Sequence, residues 1–171
     1  MRQTSMSVRR VVQIGTALGL SASVIVSASA QNAPPPGAGG PSPAKQAIEN
    51  RKAIYTLIGN YFRYFGAVAK GTIPYDEAEA TKRAARIAFL SGLVEENFSD
   101  ASNVGEPDSK AKADLWGNRS DFDKKLKEFQ VHANALVDVN GKEKGVTDAF
   151  KSTVAALGQD CKGCHDSYKV K

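Results

Sequence analysis

The chain has 171 residues, 42% of them hydrophobic and 24% charged, with a formal charge of +5. That composition suits one globular domain and excludes extensive disorder, and 8% aromatic residues argues against a large aromatic β core. The charge makes no case for a nucleic-acid partner. Arg2, Arg9 and Arg10 precede the first acid, Glu49, and without them 20 basic residues face 18 acidic ones, a net of +2.

Residues 1–30 read as an export signal. Arg2, Arg9 and Arg10 form a positive start, Val11 to Val26 is mostly apolar, and Ala28-Ser29-Ala30 is a small-x-small cleavage site. The apolar run is short and interrupted for a membrane anchor, so no span is expected after cleavage. Arg9-Arg10 also leaves a twin-arginine export route open. Residues 31–43 follow as an expected disordered tether, with five of the chain's seven prolines among Gly, Ser and Ala.

Residues 44–171 form the expected folded domain, and four segments in it repeat apolar residues at steps of three and four. The first carries Ile48, Arg51, Tyr55, Ile58, Phe62, Phe65 and Ala69. The second carries Ala80, Ala84, Ile87, Ser91, Val94 and Phe98. The third carries Leu115, Arg119, Phe122, Leu126, Phe129, Ala133 and Leu136, and the fourth Val146, Phe150, Val154, Leu157, Cys161, Cys164 and Tyr168. Such steps place each set on one helix face. Pro74 before Asp76, a polar stretch from Ser99 to Asp114, and a turn from Asn140 to Gly145 separate the segments. The fold class is all-α, an antiparallel up-down four-helix bundle.

The chemistry is concentrated in Cys161-Lys-Gly-Cys164-His165, which holds both cysteines of the chain and one of its two histidines. This spacing is a c-type haem signature. The two thiols add to the two vinyl groups on one edge of the ring, and the imidazole of His165 lies under the iron as its axial ligand. A thioredoxin-like pair needs a βαβ setting. A zinc site needs more ligands, with the distant His132 completing it. A plain disulfide leaves His165 without a role. Met1 and Met6, the only methionines, lie in the leader, so the mature chain has no thioether for the far side of the iron.

Residues 44–171 resemble the class II c-type cytochromes of the cytochrome c′ family. The likeness rests on the C-terminal Cys161-Lys-Gly-Cys-His-Asp-Ser-Tyr168, on Ala47-Ile-Glu-Asn-Arg-Lys-Ala-Ile-Tyr55, on Gly71-Thr-Ile-Pro-Tyr-Asp76, and on Leu115-Trp116 followed by Phe122. It implies a periplasmic protein with one covalent haem c enclosed by the bundle, and often a homodimer through the first two helices. It also implies five-coordinate iron that binds NO or CO and exchanges electrons with a redox partner protein.

By the same resemblance Tyr55 packs over the open face of the haem. An ordinary core tyrosine and a tyrosinate ligand are the other readings, and ionising a buried phenol is unfavourable. Arg51, one turn earlier on the stripe, needs a partner for its charge, and a haem propionate or solvent reached along its stem would serve. Lys169 falls where the family often has a basic residue beside the proximal face. Trp116 and Phe122 read as core. His132, one residue off the inner stripe, reads as surface, with a sixth-ligand role as the lesser reading. Two functions follow: a periplasmic binder of NO and CO with an open iron site, or a dedicated electron carrier with six-coordinate, low-spin haem. Nothing in the motif points to an enzyme.

Overall fold

Four long helices and one single-turn helix make up the α-structure of the computed structural model, which describes residues 39–103 and 107–171. The leader, residues 31–38 of the expected tether, and Gly105 lie outside the described residues. Helix α1 spans Pro43–Ala69. Ser42 caps it, its hydroxyl accepting from the Lys45 N–H at 3.2 Å, and Pro43 occupies the first turn, where its missing N–H costs nothing. The helix therefore takes up the last residue assigned to the tether.

The buried face of α1 is Ile48, Arg51, Ile54, Ile58, Phe65 and Val68. This corrects the stripe read from sequence at three places, one of them Ala69, which is half-buried while its neighbour Val68 is core. Ile54 rather than Tyr55 is in the core, and Phe62 is only half-buried. Tyr55 and Phe62 instead look sideways at the last helix, where Phe62 lies 3.6 Å from the position a β-carbon on Gly158 would take.

Gly71 turns the chain with a φ of +73°, in the left-handed region. Asp76 then caps α2, Glu77–Gly92, by accepting from the Glu79 N–H at 2.8 Å. Ala80, Ala84, Ile87 and Ser91 are buried as the periodicity indicated. The α-helix stops at Gly92, however, and Val94 and Phe98 reach the core from outside it. The chain tightens into 3₁₀ turns at Glu95–Phe98 and Asp100–Ser102. This brings the Asn97 carbonyl and the Ser102 hydroxyl to Arg51.

The third segment is also broken. Leu115 belongs to the single turn α3, Asp114–Gly117, and the long helix α4 runs Arg119–Glu143. Asn118 marks the break, its amide donating to the Asp114 carbonyl. Arg119 is not core; it pairs with Asp123 and donates to the Phe98 carbonyl. The expected turn at Asn140 is still helix, and the chain turns at Lys144 with a φ of +47°. Thr147 caps α5, Asp148–Tyr168. Val146 is exposed ahead of it.

Side-chain pairs fix the arrangement. Tyr64 meets Asp76 and Arg51 meets Asn97, so α1 and α2 run oppositely. Gln130 meets Ser91 and Asn140 meets Thr81, so α2 and α4 do too. His132 meets Asp160 and Tyr168 meets Asp121, so α4 and α5 complete an up-down bundle. At the end remote from the cysteines, the Tyr75 hydroxyl donates to buried Asn140 at 2.7 Å, and Asn140 donates to Thr81 at 3.1 Å. Phe65, Phe150 and Tyr75 cluster beside this trio.

Phe150 is fully buried, whereas Phe89 is 69% exposed. Phe150→Ala is therefore expected to lower stability by about 3–5 kcal/mol, and Phe89→Ala to change it by no more than about 0.5 kcal/mol. Urea unfolding of the haem-loaded protein checks both.

Candidate haem site

Cys161, Cys164 and His165 occupy the last two turns of α5. Spacing of three puts both cysteines on one helix face. Both are free, half-buried thiols, on the stripe that the sequence assigned to the inner face of the helix. Burial, with the charge of Asp160 and the neighbouring Cys164, pushes the Cys161 thiol up to about 11. Cys164 is also raised, mainly by burial. Such thiols stay protonated near neutral pH and are poor spontaneous nucleophiles. Among the described residues no group of three or more His, Cys, Asp and Glu side chains is arranged to hold a metal ion, which leaves the zinc reading without a ligand set.

His165 is held below the usual imidazole range by burial and by Lys169, against an opposing pull from Asp166. It is thus a neutral imidazole, the form that ligates iron. Lys169 follows at the helix end, its N–H donating to the His165 carbonyl at 3.1 Å. Its backbone pairs with Ala111 in an isolated antiparallel bridge, flanked by bonds from Lys112 N to Tyr168 O and from Val170 N to Lys110 O. Beside this strap a cleft of about 480 Å³ is lined by Lys110, His165, Asp166, Lys169, Val170 and Lys171.

On α1, Tyr55 keeps 36% of its surface exposed. Its hydroxyl end is nonetheless desolvated, and burial followed by the nearby Cys164 and Cys161 raises it well above the ordinary phenol range, with Arg51 pulling slightly the other way. Arg51 is 4% exposed. It donates to the Asn97 carbonyl at 3.3 Å, the Ser102 hydroxyl at 3.1 Å and the Ser109 hydroxyl at 2.7 Å. Its guanidinium carbon also lies 4.8 Å from the ring centre of Phe98 and 5.7 Å from that of Trp116. Every one of these partners is neutral, and among the described residues no carboxylate pairs with it. Burial lowers its affinity for the proton accordingly.

The structure thus brings Tyr55 to the two cysteines and puts Arg51 one helical turn away, with Lys169 beside His165. Phe122 is core, as expected, while Trp116 is only partly buried and donates to the Ser99 carbonyl. His132 is half-buried rather than a free surface group, its Nδ1 lying 2.7 Å from Asp160 Oδ2. Asn97, Ser102, Ser109 and Asp160 had no local sequence signal, because their partners lie 28 to 58 residues away.

These residues suit a haem. Two thiols one turn apart, a neutral imidazole beside them and a buried cation lacking a carboxylate match the vinyl edge, the iron and the propionates of that group. Fold and site together define a helical-bundle c-type haem protein.

The sequence matches the Cytochrome C' family over residues 46–169, and the chain belongs to that family, whose members carry covalently bound haem c. It is 34% identical over 125 residues to "Cytochrome c'" of Rubrivivax gelatinosus, covering 73% of this chain and 95% of the relative. The solved "Cytochrome c prime from Shewanella frigidimarina" superposes with a TM-score of 0.69 at 36% identity, covering 77% of this chain and 100% of that one. A ferrous variant of cytochrome c prime from Alcaligenes xylosoxidans, solved with bound NO, superposes with a TM-score of 0.68 at 26% identity, covering 77% of this chain and 99% of that one.

Arg51→Ala removes two buried bonds and one part-buried bond to a charged group and two ring contacts, so a loss of about 2–4 kcal/mol is expected. Arg51→Lys keeps the charge but not the planar fork and is expected to recover less than half of it. Denaturant unfolding of the haem-loaded variants measures the difference.

Proposed function

We propose that this chain is a periplasmic haem protein whose haem is attached to Cys161 and Cys164, with His165 as the single axial side chain and the opposite position open to NO and CO. The observation that carries this reading is Tyr55. It lies by both cysteines on the helix facing α5, and burial holds it as a neutral phenol. Ligation needs the tyrosinate, whose formation this burial opposes, so packing over the iron is the favoured role for Tyr55. The mature sequence supplies no methionine, and the bond to Asp160 holds His132 in the seam between α4 and α5.

Haem iron, when bound, supplies a coordination position for a diatomic ligand and a one-electron couple. The protein's own residues set access and environment. Cys161 and Cys164 fix the ring edge to α5. His165 presents neutral nitrogen from the same helix, and Lys169 holds positive charge at its side. Arg51, satisfied by neutral partners, offers its positive charge to a propionate. With haem on the two cysteines, Tyr55 would stand over the approach, and a ligand would enter when that side chain moved. The NO-bound relative supports the choice of ligand class. The leader read from residues 1–30 supports export. No helix among the described residues is long and apolar enough to cross a membrane. The outer side of α1 and α2 exposes Leu57 at 41% and Phe89 at 69%, which suits the homodimer expected through those helices. Electron exchange with a redox partner protein is part of the same proposal.

Denaturing mass spectrometry of the mature chain is expected to retain one haem, and Cys161→Ala with Cys164→Ala to lose it into acidified organic solvent. The reduced wild type is expected to give a high-spin spectrum that changes with CO. Tyr55→Ala is expected to speed CO association about tenfold, a barrier change near 1.4 kcal/mol, with His165 ligation intact. A six-coordinate, low-spin ferrous spectrum unresponsive to CO would refute the open site.

A further inference from the structure

The chain contains two histidines. With His165 assigned to the iron, His132 is the one remaining imidazole and thus the remaining side chain that ordinarily titrates between pH 5 and 8. It sits against Asp160, whose side chain is only 11% exposed, with Nδ1 and Oδ2 separated by 2.7 Å. A carboxylate oxygen accepts, so Nδ1 carries the hydrogen and Nε2 is free to take a proton. The His132 side chain is 38% exposed, which gives that proton a route from solvent.

Asp160 immediately precedes Cys161, and its charge raises the proton affinity of both Cys161 and Cys164. Its field therefore reaches both sulfurs that face the haem edge. We propose that His132 and Asp160 form a redox-linked proton site, at which His132 Nε2 binds a proton when the haem accepts an electron and releases it on oxidation. The balance is one electron from an external one-electron donor and one proton from solvent. The sign follows from electrostatics. Ferric haem carries one more positive charge than ferrous haem and is favoured by an uncompensated Asp160. Protonated His132 cancels that charge and favours the ferrous form. Lys125, Asp121 and Glu128 on α4 also act on Cys164, with Lys125 engaged by Asp121, and Cys161, Cys164 and His165 follow Asp160 on α5. Across from these, Tyr55 on α1 is held neutral. The inference needs haem on the two cysteines but not the open iron position, so a CO-silent protein would leave it standing.

The test is a spectroelectrochemical titration of the haem-loaded protein between pH 5 and 8, using wild type, His132→Gln and Asp160→Asn. At one fixed ambient potential the wild-type ferrous-to-ferric ratio is expected to fall about fivefold or more across that range, the lower end of ordinary coupling between sites. Both variants should flatten the profile, and Asp160→Asn should hold the ratio high throughout. Linkage requires the reciprocal effect. NMR titration of His132 in the wild type is therefore expected to show about fivefold tighter proton binding in the ferrous than in the ferric state. This measurement does not depend on either variant folding. Equal proton affinity of His132 in the two redox states, or an unchanged pH profile in His132→Gln, would overturn the proposal.

Discussion

The fold around the site depends on satisfying one buried cation. A guanidinium removed from water must have all its charge met by dipoles or counter-ions, and Arg51 meets this with groups drawn from three separate stretches of chain. The Asn97 carbonyl comes from the 3₁₀ turn after α2, Ser102 from the next turn, and Ser109 from the loop that leads to the α5 strap. Phe98 and Trp116 stack against the same group. The irregular stretch between α2 and α4 is thus organised around α1, even though few of its residues belong to an α-helix.

That organisation ties the two faces of the site together. Ser109 receives Arg51 on the side of Tyr55. One residue on, the Lys110 carbonyl accepts from Val170, and Lys112 donates to Tyr168. The Lys112 ammonium also reaches the carbonyls of Asp166 and Ser167. A path through Arg51, Ser109, Lys110 and Val170 therefore runs from the helix carrying Tyr55 to the chain just after the helix carrying His165. Tyr168 closes the arrangement from inside, packing on Phe122 and donating its hydroxyl to Asp121.

How much of this was legible in the sequence depended on distance along the chain. The haem motif spans five residues, and its chemistry requires that local spacing, so it was read directly. The buried residues of the second segment were also right, because each faces protein, although only Ala80, Ala84, Ile87 and Ser91 belong to α2. The stripe of α1 erred at Tyr55, Phe62 and Ala69; Tyr55 and Phe62 face the side of α5 proposed for the haem, which periodicity does not distinguish from ordinary core. The break at Asn118 escaped notice because the apolar spacing continues across it from Leu115 to Phe122. Arg51 was recognised as a cation in need of a partner, but its serine and carbonyl partners were not. The pairing of His132 with Asp160 was equally hidden, since only the antiparallel contact of α4 and α5 makes it.

The polar trio at the opposite end gives the bundle a mechanical character. Tyr75, Asn140 and Thr81 can satisfy one another in only one register of their three segments, and a slip would leave buried amide groups without partners. Together with the Phe65, Phe150 and Tyr75 rings, they clamp the bundle at that end. At the other end, α1 meets α5 through the half-buried Tyr55 and the light contact of Phe62 with Gly158. The molecule is therefore built like a beam pinned near both ends, with the polar trio at one and Arg51 at the other. Tyr55 lies one turn inside the Arg51 anchor of a helix of 27 residues, so its stand-off from α5 is set by that anchor as well as by the clamp.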